Sequence, residues 1–204
     1  MGIRQRRERE KQEVRQAIFA AAREIALQDG WPAVTIRKVA DRIEYSPPTI
    51  YEHFESKEAI LVALMRQGFR LLLEEIRAAY DSASDPVAGL LKIADAYWDF
   101  AWKYPELYQV MTGLGGVPFC AGGEPAEAKA VLAYVVEVLQ KVVQSIGVDV
   151  GDITEAVKMI WGTAHGLIAL SMVEGIFEHP PSGKQLVQRA MRDFLAGWQA
   201  QRAT

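Results

Sequence analysis

A nine-residue stretch, SPPTIYEHF over residues 46–54, concentrates two prolines, three rings and several hydrogen-bonding side chains. Ile50 and Phe54 have the four-residue spacing that packs one helical face onto a core. Hydroxyls such as those of Thr49 and Tyr51 are then left for the outer face, where they can bond to phosphates and base edges. The stretch therefore predicts a short helix that its neighbours hold in place and that reads another molecule.

A second short helix is predicted immediately before this stretch, with Thr35 as a suitable N-cap. Its apolar face comprises Ile36, Val39, Ala40 and Ile43. This helix has to end by Tyr45, because Ser46 can cap the helix that follows. Helix, tight turn and short helix form the helix-turn-helix arrangement, whose second helix enters the major groove of DNA.

The two prolines fit the first turn of the second helix. Backbone N–H groups in a first turn have no intrahelical partner, so Pro47 and Pro48 remove no hydrogen bond there. Pro48 nevertheless disfavours the helical region for Pro47, and a helix start one residue later stays open. Since Pro48 has no N–H, the Ser46 hydroxyl is expected to reach Thr49.

Charge is unevenly distributed along the 204 residues, whose formal net charge is −3. Residues 1–60 carry 11 Lys and Arg against 10 Asp and Glu, which leaves a net charge of −4 for residues 61–204. Six cations lie within the first fifteen residues, among them Arg6 and Arg7. These charges alone favour a solvated helix start. They have to be weighed together with the helix-turn-helix pattern and with a lysine at a helix start, where a bound phosphate would be stabilised. The combination favours a DNA-binding protein.

Residues 34–60, VTIRKVADRIEYSPPTIYEHFESKEAI, resemble the DNA-binding segment of TetR-family transcriptional regulators. The positions that carry the resemblance are Thr35, Ile36, Val39, Ala40, Ser46, Thr49, Ile50, Tyr51, Phe54, Lys57 and Ile60. The resemblance implies an all-α fold. Residues 1–56 would form an N-terminal three-helix bundle with the helix-turn-helix, and residues 57–204 an antiparallel helical bundle for ligand binding and dimerisation.

The resemblance also implies DNA contacts residue by residue. Thr49 and Tyr51 are expected to contact base edges and backbone, Pro48 to pack on a base or a thymine methyl group, and Lys57 to bind a phosphate. The complete expected set is Thr35, Ser46, Pro47, Pro48, Thr49, Tyr51, His53, Lys57, Arg6 and Arg7.

Two acidic residues in this region depart from what the resemblance implies. Glu52 would repel phosphate, so it is expected to face away from DNA or to accept a hydrogen bond from a cytosine amino group. Glu44 occupies the turn, where the family usually has glycine. A left-handed backbone at Glu44 would add strain of about 1 kcal/mol.

Helical periodicity continues towards the C-terminus, without a convincing strand pattern. Residues 113–125, GLGGVPFCAGGEP, interrupt it with five glycines and two prolines. A loop of this length is typical of functional segments, and it is expected to border a ligand entrance. The apolar and aromatic residues nearby fit a core whose wall a ligand cavity shares. The expected pocket residues are Tyr97, Trp98, Trp102, Tyr108, Met111, Phe119, Trp161 and His165.

Residues 161–170, WGTAHGLIAL, repeat glycine at a four-residue interval and resemble a Trp-His-Gly subgroup of TetR-type C-terminal domains. Glycines inside a helix indicate the close approach of another helix. Packing of two such helices from each protomer would place two DNA-binding heads on a two-fold axis, matched to a palindromic operator. The expected dimer interface comprises Gly162, Gly166, Val187, Met191, Phe194 and Trp198.

Other classes of function find less support in the sequence. No His, Cys or carboxylate group shows metal-ligand spacing, so neither a metal nor a cofactor is expected. The single cysteine, Cys120, and the lack of a signal peptide or spanning segment lead us to expect a cytoplasmic protein.

The expected function is a ligand-responsive repressor that binds a palindromic double-stranded operator as a homodimer and is released by a small, largely apolar effector. An all-helical enzyme and an adaptor for an acidic protein stay open alternatives, although no nucleophile and base have recognisable spacing.

Overall fold

The computed structural model describes residues 2–117, 125–173 and 180–201, which form helices and connecting segments and contain no strand. The helices are α1 (Ile3–Asp29), α2 (Ile36–Arg42), α3 (Pro47–Tyr51), α4 (Lys57–Asp81), α5 (Pro86–Lys103), α6 (Pro105–Thr112), α7 (Ala126–Ile146), α8 (Ile153–Ser171) and α9 (Pro180–Gln201). A 3-10 turn, Trp31–Ala33, separates α1 from α2. The predicted all-α fold class is confirmed. Across these helices, no segment has the length and hydropathy required of a membrane span.

Helix α1 begins well before its buried apolar residues. Residues 4–13 are all exposed, whereas Ile18, Ala22 and Ile25 are at most 1% exposed. These three residues follow one another at spacings of four and three and thus lie on one helical face. The helix ends at Gly30, whose φ of 79° suits glycine and whose N–H donates to the Ala26 carbonyl.

One compact unit consists of Met1–Gly68 and Tyr104–Pro125 and is called the N-terminal unit below. It contains α1 to α3, the first part of α4, and α6, a helix that the sequence analysis did not predict. Pro105 stands in the first turn of α6, and Gly113 ends it in the left-handed conformation. The predicted domain boundary between residues 56 and 57 stays a prediction.

An ion pair and a hydrogen bond attach α6 to the rest of the N-terminal unit. The Glu106 carboxylate, only 2% exposed, accepts from Nη2 of Arg23 in α1 at 2.6 Å and from its Nε at 2.7 Å. The Glu106 carbonyl accepts from the Trp31 indole at 3.2 Å. Both charges of the pair are therefore satisfied where water is largely excluded from the carboxylate.

The second compact unit, called the C-terminal unit, consists of Phe69–Lys103 and Ala126–Thr204. Helix α5 packs against α7, α8 and α9 and buries Leu90, Trp98 and Phe100. At Gly183 in α9, a methyl group would collide with the Trp98 ring and the Ser171 hydroxyl. Glycine at this position therefore allows α9 to approach α5 and α8 closely.

Two residues predicted at the dimer interface belong to this core instead. Val187 and Met191 are each 1% exposed within the protomer. Side chains already covered by their own chain have almost no surface to offer to a second subunit, so the interface proposed below does not use these two residues. The face of α9 that carries them packs within the C-terminal unit.

Candidate nucleic-acid interface

The caps and the turn of the helix-turn-helix follow from local sequence. The Thr35 hydroxyl accepts from the Lys38 N–H at 3.1 Å, which caps α2 as predicted. In the turn, Glu44 has a φ of 60° and is the non-glycine residue with positive φ in the described chain. Its left-handed backbone carries the strain expected where the family usually has glycine. The Tyr45 N–H then donates to the Ala40 carbonyl at 3.0 Å and closes the turn.

Helix α3 begins at Pro47, with Ser46 as the N-cap residue. The alternative of a start one residue later is thereby excluded. The Thr49 N–H donates to the Ser46 carbonyl at 3.0 Å, while the two hydroxyls of Ser46 and Thr49 lie 3.1 Å apart and share a hydrogen bond. The Ser46 hydroxyl therefore reaches Thr49 as predicted, but it meets the Thr49 hydroxyl and makes no cap bond with the helix backbone, so the predicted side-chain cap is wrong.

Two apolar residues hold α3 against the N-terminal unit. Ile50 is 0% exposed and Phe54, just beyond the helix, is 5% exposed. The Phe54 ring lies 5.4 Å from that of Phe19 in α1, and the Arg15 guanidinium lies 4.2 Å from the Phe54 centroid. This aromatic and cation–π packing fixes a five-residue helix that would not be stable alone.

The opposite face of α3 is open. Tyr51 is 56% exposed, and Pro48 and Glu52 are exposed beside it, while Pro47 and Thr49 are half-buried. Tyr45, which the sequence analysis did not single out, is 47% exposed in the preceding turn. The sequence signal that could have identified Tyr45 is an aromatic residue directly before a helix N-cap. The structure therefore brings the predicted readers together on one surface.

His53 has one ring nitrogen in the interior. Its Nδ1 is buried and has no hydrogen-bond partner among the described residues. A contact with DNA therefore has to use Nε2. The assignment of His53 to the DNA backbone stays a prediction.

Lys57 at the start of α4 already has one partner inside the protein. Its Nζ donates to the Trp31 carbonyl at 2.9 Å, and burial lowers the pKa of this ammonium, partly opposed by the Glu58 carboxylate. The Ser56 hydroxyl accepts from the Ala59 N–H at 3.3 Å and caps α4. A phosphate would have to bond to the remaining ammonium hydrogens, so the predicted Lys57 contact is available only in part.

A cleft of about 150 Å³ lies beside Lys57 in the N-terminal unit. It is lined by Trp31, Lys57, Glu58, Leu61, Val62, Met65, Val110, Gly116 and Val117. None of the predicted effector-pocket residues that the structure describes belongs to this lining.

The predicted basic arm is helical in the structure. Arg6 pairs with Glu10 at 2.8 Å, and Arg9 lies 3.8 Å from Glu13. Arg7 is exposed and has no ion pair within the described chain. Arg6 and Arg7 therefore differ in how free they are to contact DNA.

The predicted effector-pocket residues are divided between the two compact units. Tyr108 and Met111 are buried in the N-terminal unit at 0% and 1% exposure. The others that the structure describes, Tyr97, Trp98, Trp102, Trp161 and His165, belong to the C-terminal unit. Phe119 lies outside the described residues.

Within the C-terminal unit, an aromatic group joins α5 and α8. The Trp161 indole donates to the Tyr97 hydroxyl at 3.0 Å, and the Trp161 and His165 rings stack with centroids 5.8 Å apart. Burial lowers the pKa of His165. On α5, the Trp98 and Trp102 centroids lie 5.7 Å apart. These pairs can line an aromatic site, and their role in effector binding stays a prediction.

Sites for metal chemistry find no support in the described chain. No group of three or more His, Cys, Asp or Glu could hold a metal ion there. The surface that combines exposed polar and aromatic side chains with a fixed scaffold is that of α3 and the turn before it.

Comparison with known proteins covers both compact units. Residues 18–64 match the family described as bacterial regulatory proteins, tetR family, and residues 90–194 match the one described as tetracyclin repressor-like, C-terminal domain. The HTH-type transcriptional activator FasR of Mycolicibacterium smegmatis is 27% identical over 101 residues, or 50% of this chain and 46% of that protein. The chain spans about half the length of the first curated relatives it matches.

Solved structures show the same fold. A Rhodococcus protein of unknown function has a TM-score of 0.75 and 24% identity, covering 91% of this chain and 95% of its own. The fatty acid degradation regulator FadR from Bacillus halodurans has a TM-score of 0.68 and 20% identity, covering 86% and 96%. With one family match over the helix-turn-helix and another over about half of the chain, this protein belongs to the TetR family of transcriptional regulators.

Proposed function

We propose that this regulator is a repressor that binds a palindromic operator as a homodimer and is released by a small, largely apolar effector. The observation that supports the proposal is that α3 has one buried face and one exposed face. Ile50 is 0% exposed beneath the helix, while Tyr51 is 56% exposed above it. Such a helix can enter a major groove without losing its own packing.

The homodimer is supported by apolar residues exposed on α8. Met159 and Leu170, on the same helical face as Gly162 and Gly166, are 60% and 46% exposed. At Gly162 and Gly166, an added methyl group would meet nothing within 4 Å. A contiguous apolar helix face with small residues in it is typical of an interface that a second helix covers. Phe194 and Trp198, half-buried with centroids 6.0 Å apart, complete the proposed interface on α9.

The effector proposal rests on the aromatic residues of the C-terminal unit. Trp98 is 3% exposed and Tyr97 is 9% exposed, and Tyr97 offers its hydroxyl as a polar anchor in an otherwise apolar wall. FadR is named for fatty acid degradation, which makes acyl chains a reasonable first class of ligand. An effector of this kind would weaken DNA binding by favouring a conformation with a different spacing of the heads. The Trp-His-Gly subgroup also stays a prediction.

Selection of bound sequences from a random duplex pool tests the operator and the symmetry together. We expect an inverted repeat, and Thr49→Ala or Tyr51→Ala should broaden the sequences recovered. Sedimentation should show a dimer that Met159→Glu dissociates. A pool that yields no enriched sequence, or one with no symmetry, would contradict the proposal.

Two further measurements test the effector and the direction of control. Fatty acids and other apolar ligands are titrated against tryptophan fluorescence and then against the protein–DNA complex; a ligand that binds should lower DNA affinity. A reporter gene behind the selected operator should be repressed. Because the relative FasR is named an activator, increased reporter expression would refute repression without affecting the DNA-binding proposal.

A further inference from the structure

The N-terminal part of α1 has two different faces. Arg4, Arg7, Lys11 and Arg15 follow one another at spacings of three, four and four, which at 3.6 residues per turn places them within about 80° of arc. We call these four residues the basic stripe. Arg4, Arg7 and Lys11 are exposed and form no ion pair within the described residues, and Arg15 is half-buried.

The other face of this segment is largely neutralised. Arg6 pairs with Glu10 at 2.8 Å and Arg9 approaches Glu13 to 3.8 Å. These residues point roughly opposite to the basic stripe. Glu8 is the carboxylate that borders the stripe. The cations that remain available to another molecule are therefore concentrated on one side of the helix.

The direction of the basic stripe is fixed by the buried part of α1. Ile18, Ala22 and Ile25, which face the core of the N-terminal unit at no more than 1% exposure, lie on the same helical face as the stripe. The last residue of the stripe contacts an anchor of α3, because the Arg15 guanidinium lies 4.2 Å from the Phe54 centroid. Phe54 follows α3 by three residues. The stripe thus ends beside the segment that fixes the position of α3.

The charge pattern of this segment suits an anionic partner better than it suits the isolated helix. The first turn of α1 contains no acidic residue, although the positive end of the helix dipole favours one. Both intrahelical ion pairs have Arg before Glu, which is the less favourable order. Residues 4–13 are exposed and thus lack the packing that usually stabilises a helix. Phosphates along the stripe would remove the unfavourable charge interactions.

We infer that Arg4, Arg7 and Lys11 bind DNA backbone phosphates that flank the base pairs read by α3. This inference rests on the proposed DNA-binding function and replaces Arg6 by the residues of the basic stripe. The twelve residues from Arg4 to Arg15 rise about 16 Å along the helix, and phosphates on one strand are spaced by about 3.4 Å along the axis. The stripe is therefore long enough to follow about five phosphates.

The test compares two double variants that remove equal charge from opposite faces. Arg4→Gln/Arg7→Gln lies in the stripe, and Arg6→Gln/Arg9→Gln is the matched control with the same three-residue spacing. Binding to the duplex recovered by selection, with its flanking base pairs, is measured by fluorescence anisotropy from about 50 to 200 mM salt. Each phosphate contact contributes about 0.9 to the slope of log K against log salt. Each protomer of the proposed dimer loses two contacts, so the affinity should fall about 150-fold less over this range.

The control variant removes Arg6 and Arg9 and leaves the Glu10 and Glu13 carboxylates unpaired. These free carboxylates repel DNA, so the control is biased towards weaker binding. A purely long-range charge effect would thus weaken binding at least as much in the control as in the stripe variant. We expect the stripe variant to lose the larger part of the salt slope and to become insensitive to removal of the flanking base pairs. Glu8→Gln should bind more tightly than the wild type.

Equal slopes in the two double variants, with wild-type binding intact, would overturn the inference and leave the proposed function standing. Failure of the wild-type protein to bind any duplex at low salt would overturn both. All the substituted residues are exposed, so unchanged thermal unfolding is expected and is checked for each variant.

Discussion

Arg23 and Glu106 are expected to respond very differently to truncation, although they form one ion pair. The Glu106 side chain is 2% exposed and the Arg23 side chain 29%. Arg23→Ala leaves a buried carboxylate without its cation, which typically costs about 3–5 kcal/mol. Glu106→Ala leaves a guanidinium that can still reach water, so the expected loss is smaller, about 1–2 kcal/mol. The asymmetry, roughly 2 kcal/mol, is what the difference in burial predicts.

Chemical denaturation followed by circular dichroism measures these differences, with thermal unfolding as a second readout. For a chain of this size, 1 kcal/mol corresponds to about 2–4 °C in Tm. The double variant Arg23→Ala/Glu106→Ala removes both charges and should be more stable than Arg23→Ala alone. Equal costs for the two single variants, with a double variant that shows their simple sum, would refute the reasoning, because such a pair would behave as a solvated surface bridge.

Three other predictions concern single positions. Glu44→Gly should stabilise the protein by about 0.5–1 kcal/mol in denaturation experiments, because the left-handed backbone at φ 60° no longer carries a side chain; Glu44→Ala should give no such gain. Gly68→Ala should destabilise by about 1–3 kcal/mol, since the added methyl would collide with the buried Met111 side chain; Gly197→Ala, which meets open space, is the control. Burial lowers the pKa of His165, so the unfolded chain binds the proton more tightly and stability should fall as the pH drops from about 6.5 through the folded-state pKa. His165→Phe should lose less stability over this pH window, and an identical pH profile would contradict the argument.

The helix-turn-helix was largely predictable because its signals are local. Thr35 and Ser56 cap helices through their own hydroxyls, and the spacing of Ile50 and Phe54 decides which face of α3 is buried. Such features depend on neighbours within a few residues, so a sequence alone contains them. The left-handed backbone of Glu44 was instead suggested by the resemblance, because the family usually has glycine at this position in the turn.

Features that depend on distant residues were not predictable. Nothing near Lys57 indicates that its ammonium bonds to the Trp31 carbonyl. The periodicity of α9 identifies Val187 and Met191 as packing residues but does not say which chain covers them. Helix α6 was not predicted because its eight residues, between a proline and a glycine, are too few for the helical period to be detected. The start of α1 was not predicted because its first turns contain no apolar stripe.

The separation of anchors from exposed positions in α3 has a consequence for how this regulator could be retargeted. Ile50 and Phe54 set the placement of the helix from below, whereas Pro48, Tyr51 and Glu52 contribute little to folding because they are solvated. A library that varies only these outward positions should therefore yield proteins that nearly all fold but prefer different operators. New targets could then arise by small steps, without an intervening loss of the folded state.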